Sequence, residues 1–317
     1  MTNHALDTNP PNGALQHITT RGSDWLWAVF AIMSVTDIIV FFWQFALPRG
    51  HRVFHQLCLF ILTTAAIAYF CMASDLGFAS INTEFSHMGF PQNTTRQIWY
   101  VRYIDWVITT PSLLLTLVLG SGLPLSDIIA LCYFDLVMIV TGLVGALVAT
   151  SYKWGFFAFG CAALLYIWWV LAGPARSSAA ALGPEFKSAF IKSAIILSFL
   201  WLLYPIAWGL ADGASVISPD SEMIFYGILD VLAKPVFTFF HLYSLSKCDL
   251  SLLQLSSGKF STSGGVFDRE KHAAAGLPAT VGVPGTTAGP KGGFFSKRGT
   301  RDVVAEPRLS EATAVNA

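Results

Sequence analysis

The sequence predicts an all-α membrane protein, a bundle of seven transmembrane helices. Three observations predict it. Hydrophobic residues make up 54% of the 317-residue chain and charged residues only 12%, against about a quarter charged in an ordinary soluble domain. The mean hydropathy is +0.58. The apolar residues also gather in blocks of roughly 20, the length at which a helix crosses a bilayer.

Residues 1–22 form a polar N-terminus containing Asn9-Pro-Pro-Asn-Gly13, without the charged start and apolar core of a signal peptide. Residues 23–248 hold the seven spans. The first runs from about Trp25 to Leu47, ended by Pro48-Arg-Gly50, and the second from about Val53 to Met72. The third covers Trp99 to Leu119 and the fourth Leu125 to Thr150. The fifth, Trp154 to Ala172, is closed by Gly173-Pro174, since proline cannot continue a helix without losing a hydrogen bond. The sixth is Phe190 to Ala211 and the seventh Met223 to Leu245. Residues 249–317 are read as a disordered cytoplasmic tail, because from Ser256 the composition turns to Gly, Pro, Ser, Thr, Ala and scattered charge. It is too short and too poor in apolar periodicity for an enzymatic domain.

Basic residues orient the chain. Arg49 and Arg52 follow span one, Arg176 and Lys187 lie between spans five and six, and Lys247 follows span seven. The opposite loops carry Glu84, Arg96, Lys153, Asp212, Asp220 and Glu222. The positive-inside rule then places the N-terminus outside and the C-terminus in the cytoplasm of a plasma membrane. The sequon Asn93-Thr-Thr95 falls in an outside loop, in agreement. Net charge is zero and no basic patch stands out, which argues against nucleic acid. The five cysteines, Cys58, Cys71, Cys132, Cys161 and Cys248, show no metal-ligand spacing and read as apolar packing, with acylation of Cys248 the lesser reading.

One residue defies the pattern. Lys234 sits inside span seven, where a lysine costs about 3 kcal/mol even on lenient insertion scales. Asp230 lies one turn earlier on the same face. Lysine amines form Schiff bases with carbonyl compounds, so the economical reading is a lysine carrying an aldehyde-derived cofactor. Span three adds Arg102, Asp105, Trp106, Thr109 and Leu113 at helical spacing on one face, with Arg102 and Asp105 expected to pair in the bundle interior. The bland reading, a static ion cluster, is disfavoured because buried ion pairs stabilise poorly compared with apolar packing. In span six, Trp201, Tyr204, Pro205 and Trp208 share a face. Alone that is a packing stripe; facing a buried amine it makes a slot for a flat conjugated ligand.

The runs Arg102-Tyr-Ile-Asp105-Trp-x-x-Thr-Thr-Pro111, Trp201-x-x-Tyr-Pro-x-x-Trp208 and Leu229-Asp-Val-x-Ala-Lys234 resemble those of microbial (type 1) rhodopsins, over roughly residues 24–246. Trp208-Gly-Leu-Ala-Asp-Gly213 is similar to the fungal branch. The resemblance implies all-trans retinal on Lys234 as a protonated Schiff base, Asp105 as proton acceptor and counterion, Asp230 as second counterion, and Arg102 as a switchable cation. It implies that Tyr69 and Tyr204 hydrogen-bond the second counterion and that Trp106, Trp201 and Trp208 sandwich the polyene. Thr109, Thr110, Leu113, Met138 and Gly142 match further pocket positions, and Leu113 matches a green-absorbing pigment. Asp135 matches a buried acid that bonds Thr110, and Glu222 an outer proton-release acid whose partner is nearest to Asp212.

The chain departs from the family's proton pumps where they carry an acid eleven residues after the acceptor. That position is Thr116, about 16 Å toward the cytoplasm, and the residue that would steady the acid is Cys58. Threonine gives up no proton at physiological pH, so proton return to Lys234 should be slow. His241, two turns beyond Lys234, and Asp37, inside span one, are the substitute candidates, each weighed against a purely structural role. Pro235 directly after the lysine should alter the local helix.

The leading expectation is a light-driven outward proton pump with slow reprotonation. The rival is a sensory photoreceptor with a slow photocycle, favoured by Thr116, with the tail as a docking segment. A light-gated proton or cation channel ranks third. Asp105 argues against chloride pumping, and span three lacks a sodium pump's Asn-Asp-Gln set. No metal and no enzymatic activity are expected. Retinal, protons and the lipid membrane are the expected partners, while a homo-oligomer and a signalling partner are compatible with the pattern and not fixed by it.

Overall fold

The computed structural model describes residues 3–48, 51–85, 90–91 and 94–255. Arg49, Asn93 of the sequon and the stretch from Ser256 to Ala317 lie outside the described residues.

Seven helices long and apolar enough to cross a membrane follow in order: α1 Thr20–Ala46, α2 Val53–Ala73, α3 Tyr100–Leu119, α4 Leu125–Leu147, α5 Lys153–Leu182, α6 Pro184–Gly213 and α7 Pro219–Leu245. Each packs on its neighbour in the chain, and α7 returns to α1, which closes the ring. Burial ranks them: 67% of the α3 window is buried, 56% for α2 and α7, and only 28% for α1, α4 and α5. The innermost helices are those that carry the charged motifs. The outer surface shows Ile38, Phe42, Phe60, Ile104, Phe159, Trp169 and Phe199. That much exposed apolar surface is untenable in water and ordinary in lipid, where each helix satisfies its own backbone. The chain is a multi-pass integral membrane protein.

Several boundaries differ from the sequence reading. Pro174 does not close span five. A π turn over Leu171–Ala175 accommodates it, and the helix continues through Arg176–Leu182. The wider turn accommodates a residue that lacks an N–H and crowds the carbonyl four residues back. α5 stops instead at Gly183, whose φ of +130° suits glycine alone. α6 starts at once with Pro184, whose fixed φ suits a first helical residue. Arg176 and Lys187, expected in a loop, therefore lie on helices. α7 starts at Pro219, where the Ser218 side chain accepts from the Ser221 N–H.

The N-terminal side of the bundle carries an antiparallel hairpin, β1 Ala79–Asn82 and β2 Thr95–Ile98, that the sequence reading lacks. Strands of four residues show no usable periodicity. Residues of the polar N-terminus are fastened to it: Gln16 bridges to Arg96, and the Ile18 N–H donates to Gln97 Oε1 at 2.9 Å. Likewise, the start of the expected disordered tail holds a 3₁₀ turn, Leu250–Leu253, capped by Asp249. Cys248 before it packs with Phe186 and Ala189, and its burial, helped by Glu185, pushes the thiol up.

Candidate functional site

Lys234 lies within a second π turn, Leu232–Val236, which also accommodates Pro235. Such single-turn bulges are frequent at functional sites. The amine is 2% exposed and donates to Asp105 Oδ2 at 2.5 Å, with Asp230 Oδ2 at 3.3 Å. Two carboxylates thus surround one cation at the centre of the bundle, one from α3 and one from its own helix. Asp230 is held in turn by two phenols: Tyr69 donates to Oδ2 at 2.7 Å and Tyr204 to Oδ1 at 2.6 Å. Asp105 Oδ1 has no hydrogen-bond partner. Charge-assisted bonds of this kind are short and directional, so Asp230 is fixed while Asp105 has an oxygen free to accept.

Arg102 does not join this group. The expected pairing of Arg102 with Asp105 is replaced by an ion pair to Glu222 Oε1 at 2.7 Å, with the guanidinium 4.1 Å above the Tyr226 ring. The reason is directional. Helical Cα–Cβ bonds tilt toward the helix N-terminus, so Arg102 extends away from Asp105 even though both share a face. A second arginine, read in the sequence only as a loop charge because a four-residue strand has no period to place it, completes this cluster. Arg96 donates to Glu222 Oε2 at 2.7 Å and to the Ile217 carbonyl at 2.8 Å. Asp212 accepts from the Tyr103 hydroxyl at 2.7 Å, and Lys153 donates to its main-chain carbonyl at 3.0 Å. The charges form two layers, one around Lys234 and one nearer the N-terminal face.

On the other side of Lys234 the interior is mostly apolar. Thr116 is buried and its hydroxyl turns back to the Ser112 carbonyl at 2.7 Å. Cys58 is buried beside Thr238. His241 lies among them, 1% exposed. Asp37 is elsewhere, on the seam of α1 and α2, where the exposed Thr63 donates to it at 2.8 Å. That places it at the lipid-facing surface and not beside Lys234.

A cavity open at one side leads to the amine. Trp106, Thr110, Leu113, Met138, Gly142, Trp201, Tyr204, Pro205 and Trp208 line it, with Asp230 and Lys234 at its polar end. Tyr103, Ile139, Phe157, Gly160, Cys161 and Leu164 also line it and are not among the expected pocket residues. Thr109 and Tyr69 are buried but do not line it; Thr109 donates to the Asp105 carbonyl at 2.9 Å. Thr110 stands 2.8 Å from Asp135 Oδ2, tying α3 to α4 beneath the slot.

Residues 21–248 match the family model described as bacteriorhodopsin-like protein. The chain belongs to this family of microbial (type 1) rhodopsins. It is 49% identical to Protein FDD123 of Trametes versicolor over 281 residues, 89% of this chain and 97% of that one. Among solved structures, it is similar to the light-driven proton pump CsR of Coccomyxa subellipsoidea, with a TM-score of 0.69, 35% identity and coverage of 72% of this chain and 99% of that one. The light-driven proton pump LR (Mac) of Leptosphaeria maculans matches with a TM-score of 0.69 and 35% identity over 73% and 98% of the two chains. Family and fold support retinal binding by this rhodopsin, and its members are ion transporters and photoreceptors rather than enzymes. The donor set fits that ligand. A long apolar slot walled by three indoles ends at one primary amine, which is what a polyene aldehyde requires.

Proposed function

We propose that the chain is a light-driven proton pump that carries retinal on the Lys234 nitrogen and exports protons toward its N-terminal side. The observation that carries this reading is the 2.5 Å contact between Lys234 Nζ and Asp105 Oδ2 at the closed end of an aromatic slot. When bound, retinal supplies visible-light absorption and a change of shape at the Lys234 nitrogen. Asp105 receives the proton from that nitrogen through its Oδ2. Asp230, held by Tyr69 and Tyr204, is the second carboxylate beside that nitrogen and balances the site's remaining charge. Trp106, Trp201 and Trp208 with Leu113, Met138 and Gly142 fix the ligand's orientation and exclude water.

Arg102, Glu222 and Asp212 form the exit layer between Asp105 and the N-terminal face. The basic residues at the opposite ends of the helices support an N-terminus outside and a cytoplasmic C-terminus. Thr116 in place of an acid leaves no carboxyl on α3 between Asp105 and the cytoplasmic end, so the proton returns to Lys234 slowly.

The same Thr116 favours a second reading, a sensory photoreceptor whose slow recovery lets a partner read the lit state. One experiment separates the two. Cells expressing the protein with all-trans retinal are illuminated without buffer while external pH is followed. Sustained acidification that a protonophore abolishes supports pumping; a photocycle lasting seconds with no net pH change rejects it and leaves the sensor.

A further inference from the structure

Between Lys234 and the C-terminal end of the bundle, the interior is packed with Ile61, Leu113, Leu114, Leu117 and Phe237. One imidazole interrupts it. His241 stacks on Phe237, ring centroids 5.3 Å apart and planes 7° from parallel. Both ring nitrogens are engaged: Nδ1 is 2.8 Å from Ser193 Oγ on α6, and Nε2 is 3.0 Å from the Thr116 carbonyl on α3. A carbonyl only accepts, so Nε2 carries the hydrogen. Nδ1 then holds its lone pair and accepts from the Ser193 hydroxyl. The ring is a neutral base whose second nitrogen is ready for a proton. It stands seven residues beyond Lys234, about 10.5 Å along the helix and on the same side.

A leucine or phenylalanine there would fill the space without desolvating an imidazole. The ring bonds to the main chain of the very residue that stands where an acid would otherwise supply protons. A turn beyond Cys58 on α2, the imidazole of His55 is buried at 7% exposure with no hydrogen-bond partner on either nitrogen.

We propose that His241 is the internal proton carrier on this side. Nδ1 takes up one proton by way of Ser193 Oγ, which makes the ring an imidazolium. The ring then gives one proton to the Lys234 nitrogen, through intervening water, and returns to neutral. This rests on the proton-moving reading above and adds the donor that reading lacks. The groups facing the ring leave its protonation under its own control. α2 faces it with the uncharged Phe54, α3 offers the Thr116 carbonyl, α6 Ser193 with an exposed Lys192 beside it, and α7 no charged side chain between Lys234 and His241.

The test uses the full-length protein with retinal in lipid nanodiscs, following by visible absorption the return of the proton to the Lys234 nitrogen after a flash. His241→Gln keeps partners for Ser193 and Thr116 but cannot carry a proton. Return should slow at least about tenfold, become proportional to bulk proton concentration, and recover with added imidazole. Ser193→Ala, which leaves the ring in place, should slow it less. A second readout needs no retinal: ¹⁵N spectra of histidine-labelled protein should show His241 as the Nε2–H form, converting reversibly to the cation as pH falls. Wild-type return rates in His241→Gln, or a cross-linking ring that never protonates while the fold persists, would overturn the proposal. A protein that moves no net protons across a membrane would sink the pump reading alone, since the comparison of return rates does not depend on transport.

Discussion

Arg96→Gln tests whether the charge layer near the N-terminal face is a single coupled unit. Arg96 is fully buried and its guanidinium has three acceptors: Glu222 Oε2 at 2.7 Å, the Ile217 carbonyl at 2.8 Å and Gln16 Oε1 at 3.1 Å. The charged bond is worth about 1.5–3 kcal/mol and the two neutral acceptors about 1 kcal/mol each. Against that, Glu222 keeps Arg102 at 2.7 Å, and a glutamine amide can satisfy one of the abandoned acceptors, a saving of about 1 kcal/mol. The net loss is then about 2–4 kcal/mol, or roughly 5–15 °C in Tm for a chain of this size. The assay is thermal unfolding in nanodiscs, read by a thiol-reactive dye that reports the buried Cys58 and Cys248. Glu222→Gln and the double variant complete a cycle, in which the coupling should be at least about 1.5 kcal/mol. A fall in Tm below about 2 °C, or strictly additive variants, would show that the two groups are neighbours without being partners.

Four further outcomes are expected. Lys234→Ala should abolish the visible absorption band formed with retinal, and a pigment surviving at stoichiometric retinal would remove Lys234 from its role. Thr116→Asp places a carboxyl on the residue whose main-chain carbonyl accepts from His241 Nε2 at 3.0 Å, and should speed dark recovery by about tenfold or more; an unchanged flash-decay rate would mean proton return is limited elsewhere. Burial raises the Asp75 carboxyl above its ordinary 3.8, opposed by the Gln97 hydrogen bond and His17. An acid with a raised folded pKa binds protons on folding, so its ionisation costs stability as pH rises from about 4 through the folded value. Asp75→Asn, at a positive φ that Asn tolerates, should therefore be at least as stable at neutral pH and flatten the pH–Tm curve in that window. Gly227→Ala drives a methyl into the Trp25 indole, which donates to the Met223 carbonyl at 3.0 Å; a loss of about 1–3 kcal/mol is expected, and an unchanged Tm would mean α1 shifts freely against α7.

The seven helices were legible because length and hydropathy act over whole segments, where single residues average out. Their ends were not, and prolines account for the largest error. Pro174 read as a stop, yet a π turn lets the helix pass it, and nothing local in Gly173-Pro174 distinguishes the two outcomes. At the site, helical spacing placed Asp105 and Asp230 on faces that can meet Lys234, and the structure puts them 2.5 and 3.3 Å from it. Spacing could not tell which partner Arg102 takes. That depends on the tilt of Cβ toward the helix N-terminus and on an acid from another helix, Glu222. Arg96 was invisible as a site residue because a four-residue strand has no period to read. His241 was visible as an oddity, but its meaning lies in two contacts from helices distant in sequence, Ser193 and Thr116.

The two sides of Lys234 are built differently, and the difference bears on direction. Toward the N-terminal face stand Asp105, Arg102, Glu222, Arg96, Asp212, Lys153 and Tyr103, joined into short charged contacts. A proton that reaches Asp105 enters a region already arranged to hold and pass charge, where stabilisation of a displaced charge costs little reorganisation. Toward the other face lie leucines, a threonine folded back on its own helix and a neutral imidazole. An excess charge on that side has little to stabilise it, so backflow from Lys234 is opposed, while entry is confined to a group that can take on a proton and then lose it. In the proposed pump, the apolar half sets both the direction and the pace of the cycle. Replacing His241 by glutamine should then slow recovery without reversing transport, whereas placing a fixed cation there should oppose proton entry altogether.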